Sequence, residues 1–132
     1  MPTIDLSKLP ASDYSELIER WKSTATTPYK RGSISDNGVS LTLGAETDSL
    51  SIEFYLTPNT QTLEIIMRGL YVGRRVTWKM PMDDVPSDSS VAYVRFVREG
   101  EETLEDGFAR RHKRFFLDEW KHFVDLFAER GS

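Results

Sequence analysis

The 132-residue chain contains no cysteine. A disulfide framework and a thiolate metal site are therefore excluded, and the usage fits a reducing compartment. Histidine is almost as scarce: only His112 and His122 are present. On one straight helix that spacing sets them roughly 15 Å apart along the axis, too far to share a metal. No apolar run exceeds a few residues, as in FFL (115–117), far below the ~20 that a membrane-crossing helix requires. The opening MPTIDLSKLP has no charged stretch leading into an apolar one, so the reading expects no secretory signal and a cytoplasmic protein.

Catalytic signatures are missing too. There is no glycine-rich phosphate loop. Ser87, Ser89 and Ser90 lack the context of a nucleophile elbow. Asp83, Asp84 and Asp88 lack the glycine and closing glutamate of a calcium loop. Carboxylates number 21, so their pairings are uninformative. The reading therefore expects no catalytic residue, no metal and no cofactor, and leans away from an enzyme.

What is present is an ordinary globular composition, 39% apolar and 29% charged, with a net charge of −4. That mild acidity argues against a general polyanion binder but leaves room for a local basic patch. The length suits one domain spanning 1–132 with a real core.

Residues 1–11 read as an arm. Tyr14, Leu17, Ile18 and Trp21 recur at helical spacing, which predicts a helix over 13–24, capped by Ser12 or Asp13. The period then changes to two. Val39, Leu41 and Leu43 alternate with polar residues, as do Leu50 to Leu56, Leu63 to Met67 and Val76 to Met80. Asn37-Gly38 signals a hairpin, and Gly69 to Gly73 signals a bulge or a turn. VAYVRFV (91–97), apolar at both parities, reads as a further strand covered on both faces. An antiparallel sheet of five or six strands is thus expected over 29–98. Thr103 with Asp106 resembles a capping box for a long helix over 104–129, and Phe108, Phe116, Trp120, Phe123, Val124 and Phe127 share one face of it. The fold class is α+β: N-terminal helix, antiparallel sheet, and a long C-terminal helix packed on the sheet. Trp21, Phe54, Phe116, Trp120 and Phe123 are the expected core.

Two basic groups have both a bland and a functional reading. Arg110, Arg111 and Arg114 lie opposite the aromatic face of the last helix, with Asp118 and Asp125 at salt-bridge spacing; they form a compensated solvated face or a contact site. Arg68, Arg74, Arg75 and Lys79 form an ordinary charged outer sheet face or, with Tyr71 or Tyr93 nearby, a surface for nucleic acid or an acidic protein. His112 reads as a packing residue, and His122 with Asp118 as a weak ion pair. A third group, loop 80–90, offers Met80, Met82 and Val85 as adaptable anchors, with Asp83, Asp84 and Asp88 as a polar rim.

TLEIIMRGLYVGRR (62–75) resembles the strand of plant and bacterial ribosome-inactivating N-glycosidases that carries an asparagine-x-tyrosine-valine motif, and YSELIERW (14–21) resembles their first helix. The likeness spans a minor part of the chain. The glutamate-x-x-arginine pair of that family is not found here, so the resemblance implies no activity and no site residue. The functional expectation is a small intracellular, non-enzymatic protein-binding module, an inhibitor, immunity or adaptor protein from a bacterium or its phage. The alternatives are a nucleic-acid binder using the basic sheet face, and a small-molecule-binding protein or enzyme with a cavity between sheet and helix.

Overall fold

In a computed structural model, the residues described are 3–6, 14–24, 29–35, 40–71, 73–103 and 107–130. Among them, a six-stranded antiparallel sheet runs in the order β2 (Tyr29–Ile34), β3 (Leu41–Glu46), β4 (Leu50–Thr57), β5 (Thr62–Gly69), β6 (Arg75–Pro81) and β8 (Glu101–Glu102). A separate two-stranded ladder joins β1 (Thr3–Ile4) to β7 (Val85–Pro86). The period-two pattern sends one side-chain set inward. Leu41, Leu43, Ala45, Ile52, Phe54, Leu56, Leu63, Ile65, Met67, Val76, Trp78 and Met80 are all buried. The chain is α+β as expected.

Tight turns hold the meander in register. The amide of Gln61 donates to the Pro58 carbonyl (3.2 Å), and the amide of Gly69 donates to the Arg74 carbonyl (2.9 Å). The second of these settles the Gly69–Gly73 ambiguity in favour of a hairpin turn. Gly73 takes φ 64° there, a left-handed conformation that side chains resist. Residues 36–39, with the expected Asn37-Gly38 turn, lie outside the described residues, as do the caps Ser12 and Asp13. The flanking Ser35 amide donates to the Ser40 carbonyl (2.9 Å).

Helices form the second layer. Helix α1 (Tyr14–Ser23) buries Tyr14, Leu17 and Trp21, the i, i+3, i+7 stripe. It lies directly on β2, because a Cβ at Gly32 would come within 2.8 Å of the Ile18 side chain. The Trp21 indole N–H donates to the Gly44 carbonyl (2.8 Å), tying α1 to the sheet. Helix α4 (Lys113–Arg130) is continuous with the core through its rings. Phe123 stacks on Phe54 at 4.3 Å, Trp120 on Trp78 at 5.6 Å, and Phe116 on Phe96 at 4.4 Å. The five expected core residues are all buried. No helix among the described residues is long and apolar enough to cross a membrane.

Two expectations are overturned. Residues 91–97 are not a strand but part of helix α2 (Ser89–Glu99). A run apolar at both parities fits a buried strand and a helix equally; the capping decides. Asp88 is the N-cap, its carboxylate accepting from the Ser90 amide (2.7 Å) and the Val91 amide (3.4 Å). Helical spacing then buries Ala92 and Phe96, whereas Val94 is left exposed. The sixth strand is instead the short β8, which follows α2.

The C-terminal helix also differs from a single rod over 104–129. It begins at Phe108 as α3 (Phe108–Arg111) after Gly107 at φ 76°. It breaks at His112 (φ −119°, ψ 34°) and resumes as α4. Thr103 is no helix cap. Its hydroxyl oxygen accepts from the Arg75 amide (3.0 Å) and its own amide donates to the Arg75 carbonyl (2.9 Å). Asp106, its expected capping partner, lies outside the described residues.

If Asp88 caps α2, Asp88→Ala lowers the unfolding free energy by about 0.5–2 kcal/mol in urea titrations, whereas Asp88→Asn retains most of it. Equal loss in both variants is the result that contradicts capping.

Candidate functional site: the arginine end of the open sheet face

The helices bury their apolar stripes against the inner face of the sheet, so the outer face shows the other side-chain set. Along β2 to β6 it carries Arg31, Glu46, Glu53, Tyr55, Glu64, Arg68, Arg75 and Lys79, alternating with the buried positions. Most of this face is charge-compensated. The Arg31 guanidinium crosses to Glu53 (3.1 Å) and Glu46 (3.6 Å). Lys79 sits directly opposite Glu64 in the ladder. Burial pushes the Tyr55 phenol up to about 12; the hydrogen bond and charge of Glu53 add to the rise, which Arg68 and Arg31 oppose.

One end of the face departs from this balance. Arg68 and Arg75 are direct cross-strand partners, and like charges directly opposite destabilise a ladder. On the other flank Arg68 faces Ser51, not an acid. Neither Arg68 nor Arg75 forms an ion pair among the described residues. With Arg74 they line a cleft of about 350 Å³, completed by Gly69, Gly73 and Thr103. The turn above it presents Leu70 and Tyr71, 41% and 82% exposed. The structure thus brings together three of the four basic sheet residues singled out in the sequence. Lys79 lies four positions along β6 from Arg75, roughly 13 Å away.

The other sequence candidates are placed differently. Met80, Met82 and Val85 are core residues, 4%, 1% and 0% exposed, so they are not surface anchors. The cause is that the segment after β6 is pinned to the body. The Met82 amide donates to the Gln61 carbonyl and its carbonyl accepts from the Leu6 amide, both at 2.8 Å. Val85 pairs with Ile4, and the Trp120 indole N–H donates to the Pro86 carbonyl (3.0 Å). Asp83 and Asp84 are exposed, and Asp88 is occupied as the cap. The Arg95 guanidinium reaches Asp84 at 3.8 Å and Glu99 at 3.1 Å. The hydrogen bond from Arg95 is the main reason the Glu99 carboxyl is held below its usual range.

Arg110, Arg111 and Arg114 are exposed, whereas the rings of α3 and α4 turn inward. Arg114 is 3.9 Å from Asp118. Arg110 lines a different cleft, with Val97, Gly100, Glu102 and Gly107. Arg110 and the Arg68–Arg74–Arg75 group therefore line different clefts. His112 packs edge-on against Phe108 at 4.9 Å, and burial, with Arg111 adding, lowers its pKa. His122 turns not to Asp118 but to Glu119 (3.4 Å) and Lys30 (3.3 Å).

That last contact belongs to a cluster the sequence reading missed. The Lys30 ammonium meets the Glu119 carboxylate at 2.6 Å, with side chains 1% and 2% exposed. It also sits 3.5 Å from the centre of the Trp21 ring. Burial lowers the Lys30 pKa, and the hydrogen bond and charge of Glu119 pull it back up. A signal existed. Glu119 falls on the stripe of Phe116, Trp120 and Phe123, where a charge demands a partner. The partner's identity, 89 residues away, left no trace in local pattern. Lys30, Glu119 and His122 line none of the clefts bordered by Arg68, Arg110 or Asp88, and the geometry of the Lys30–Glu119 contact is that of a structural tie between β2 and α4.

Comparison of the chain with protein-family models, curated proteins and solved structures finds no match in any of the three.

Lys30→Met leaves the Glu119 carboxylate buried without the ammonium, with an expected loss of about 3–5 kcal/mol; adding Glu119→Leu restores most of it. A double-mutant cycle by chemical denaturation measures both, and a single variant as stable as wild type would contradict the tie. Tyr55 supplies a pH test. Its folded pKa of about 12 exceeds the ordinary 10.0, so the stability it contributes is full below pH 10 and is lost as pH rises from 10 to 12. Tyr55→Phe flattens that loss in urea titrations across the window; an unchanged slope would count against the assignment.

Proposed function

We propose that the protein is a small non-enzymatic binding module that engages an acidic protein through the arginine end of its outer sheet face. One observation carries this reading: Arg68 and Arg75 face each other across adjacent strands, with Arg74 lining the same cleft and Leu70 and Tyr71 exposed beside them. An isolated protein gains nothing from that arrangement. A partner carrying carboxylates gains bidentate, charge-assisted hydrogen bonds. Arginine and tyrosine are also the residue types that concentrate binding energy at protein interfaces. The net charge of −4 confines attraction for acidic surfaces to this end. A cysteine-free chain fits an inhibitor, immunity or adaptor role inside a cell.

The same exposed Tyr71 beside guanidinium groups supports a second reading, stacking of an unpaired base in single-stranded RNA.

Immobilised wild type and an Arg68→Glu/Arg75→Glu variant, exposed to extract of the native host, separate the readings. The expected result is one acidic protein retained by wild type and bound at least ~30-fold more weakly by the variant, with unfolding midpoints unchanged. A Lys79→Glu control retains it. A partner held equally by the reversal variant, or none at all, defeats the proposal. RNA binding with a steep salt slope that the variant abolishes transfers the site to nucleic acid.

A further inference from the structure

We infer that the outer edge of β2 seats a second copy of this chain: two β2 strands pair antiparallel about a two-fold axis through Gly32 and join two sheets into one. The inference uses the sheet edge away from the arginine end and does not depend on what that end binds.

The backbone phase gives the first argument. Among the described residues β2 has one ladder partner, β3. Directly opposite residues of an antiparallel ladder exchange hydrogen bonds on alternate rungs. The Ser35 amide donates to the Ser40 carbonyl, so the bonded rungs of β2 are those of Ser33, Arg31 and Tyr29. The other side of β3 agrees. The Thr47 amide donates to the Leu50 carbonyl, which leaves the even-numbered residues of β3 to bond β2. The amides and carbonyls of Lys30, Gly32 and Ile34 therefore point out of the sheet. Solvent reaches them there. Gly32 has only backbone to expose and is half-buried. The Lys30 side chain is 1% exposed, yet the residue as a whole is half-buried, so its accessible atoms are backbone. Ile34 is exposed outright.

The second argument is that the usual guards of an edge strand are withdrawn. Edges resist pairing through proline, bulges, or charges that pairing would bury. Strand β2 (YKRGSI) has no proline, and its register with β3 runs unbroken over all its residues. Both of its charges are already engaged elsewhere. Lys30 points inward onto Glu119 at 2.6 Å, and Arg31 leans away from the edge, across the sheet, to Glu46 and Glu53. Self-complementarity identifies the occupant. With the axis at Gly32, that glycine lies opposite its own copy, and Lys30 lies opposite Ile34 of the second copy. These three rungs set outward amides against outward carbonyls and form about six hydrogen bonds. On the outer face Arg31 falls opposite Ser33 of the second copy, so no like charges share a rung. Tyr29 and Ile34, 61% and 37% exposed, come to lie beside the adjoining strand. A strand this short makes a small interface, so the pairing is reversible and concentration-dependent. The axis is perpendicular to the sheet. Both outer faces therefore look the same way, and β5 and β6 of each copy stay open.

The test uses the full chain at low and at high protein concentration. Sedimentation equilibrium reads the mass, and amide hydrogen exchange by NMR reads the edge. The expected outcome is a mass that doubles as concentration rises. The Lys30, Gly32 and Ile34 amides gain protection in step with it, whereas those of Tyr29, Arg31 and Ser33, bonded within the sheet, are protected throughout. Ile34→Pro removes an outward N–H and weakens dimerisation at least ~10-fold. Ser33→Arg sets a guanidinium opposite Arg31 of the second copy and weakens the dimer at low salt. Ser33→Glu, at the same exposed position, strengthens it. Both Ser33 variants keep the unfolding midpoint of the dilute protein, which separates loss of pairing from loss of fold.

A monomer at every concentration overturns the inference. So does a dimer that neither Ile34→Pro nor Ser33→Arg weakens, or one on which Ser33→Arg and Ser33→Glu act alike. Protection of the Lys30, Gly32 and Ile34 amides that does not change with concentration assigns the edge to a segment of the same chain and defeats the inference as well. None of these results touches the arginine end, whose binding stands or falls with the Arg68→Glu/Arg75→Glu variant.

Discussion

The register of β5 against β6 is the constraint on which the site depends. Leu63 lies opposite Met80, Ile65 opposite Trp78, and Met67 opposite Val76, and all six are buried. Trp78 in turn stacks on Trp120 of α4. A slip of one residue would turn Trp78 to the wet face and leave charged neighbours in the core. Once the core pairs are set, the next rung is no longer free to choose: Arg68 must face Arg75. The unfavourable contact at the open end is thus enforced by the favourable ones inside, which is how a fold can hold two guanidinium groups where local energetics alone would part them.

The buried Lys30–Glu119 contact has the opposite character. It spends two charges in the interior, where desolvation opposes them, and recovers attraction from the close approach and from the Trp21 ring. What it supplies is specificity of placement. Strand β2 ends the sheet, and apart from α1 this tie fixes it to the C-terminal helix. Gly32 lets α1 lie close on the same strand. The two devices keep the edge strand on the body while its outer residue Arg31 joins the compensated part of the sheet face.

The loop after β6 shows how a correct chemical inventory can be assigned to the wrong side. Met80, Met82 and Val85 are adaptable apolar side chains among aspartates, the composition of an interface patch. Met80 turns inward as a β6 residue opposite Leu63, while backbone pairing with Leu6, Gln61 and Ile4 turns Met82 and Val85 inward and leaves Asp83 and Asp84 outside. These partners are distant in sequence, so no local pattern distinguishes the arrangements. The same limit applies to VAYVRFV, where two periodicities fit and the Asp88 cap decides.

The sequence by itself determined the α+β class, the alternating strands, the inward rings of the last helix and the identity of the core, because side-chain periodicity is a local property read directly from spacing. It also marked Arg68, Arg74 and Arg75 as a basic group. Only the tertiary structure decided that these three share one cleft while Lys79 and the arginines of α3 and α4 do not, that Lys30 and Glu119 meet, and that the loop methionines are core. Those outcomes depend on strand order, register and long-range contact, which arise from burying all the apolar stripes at once and are encoded in no single segment.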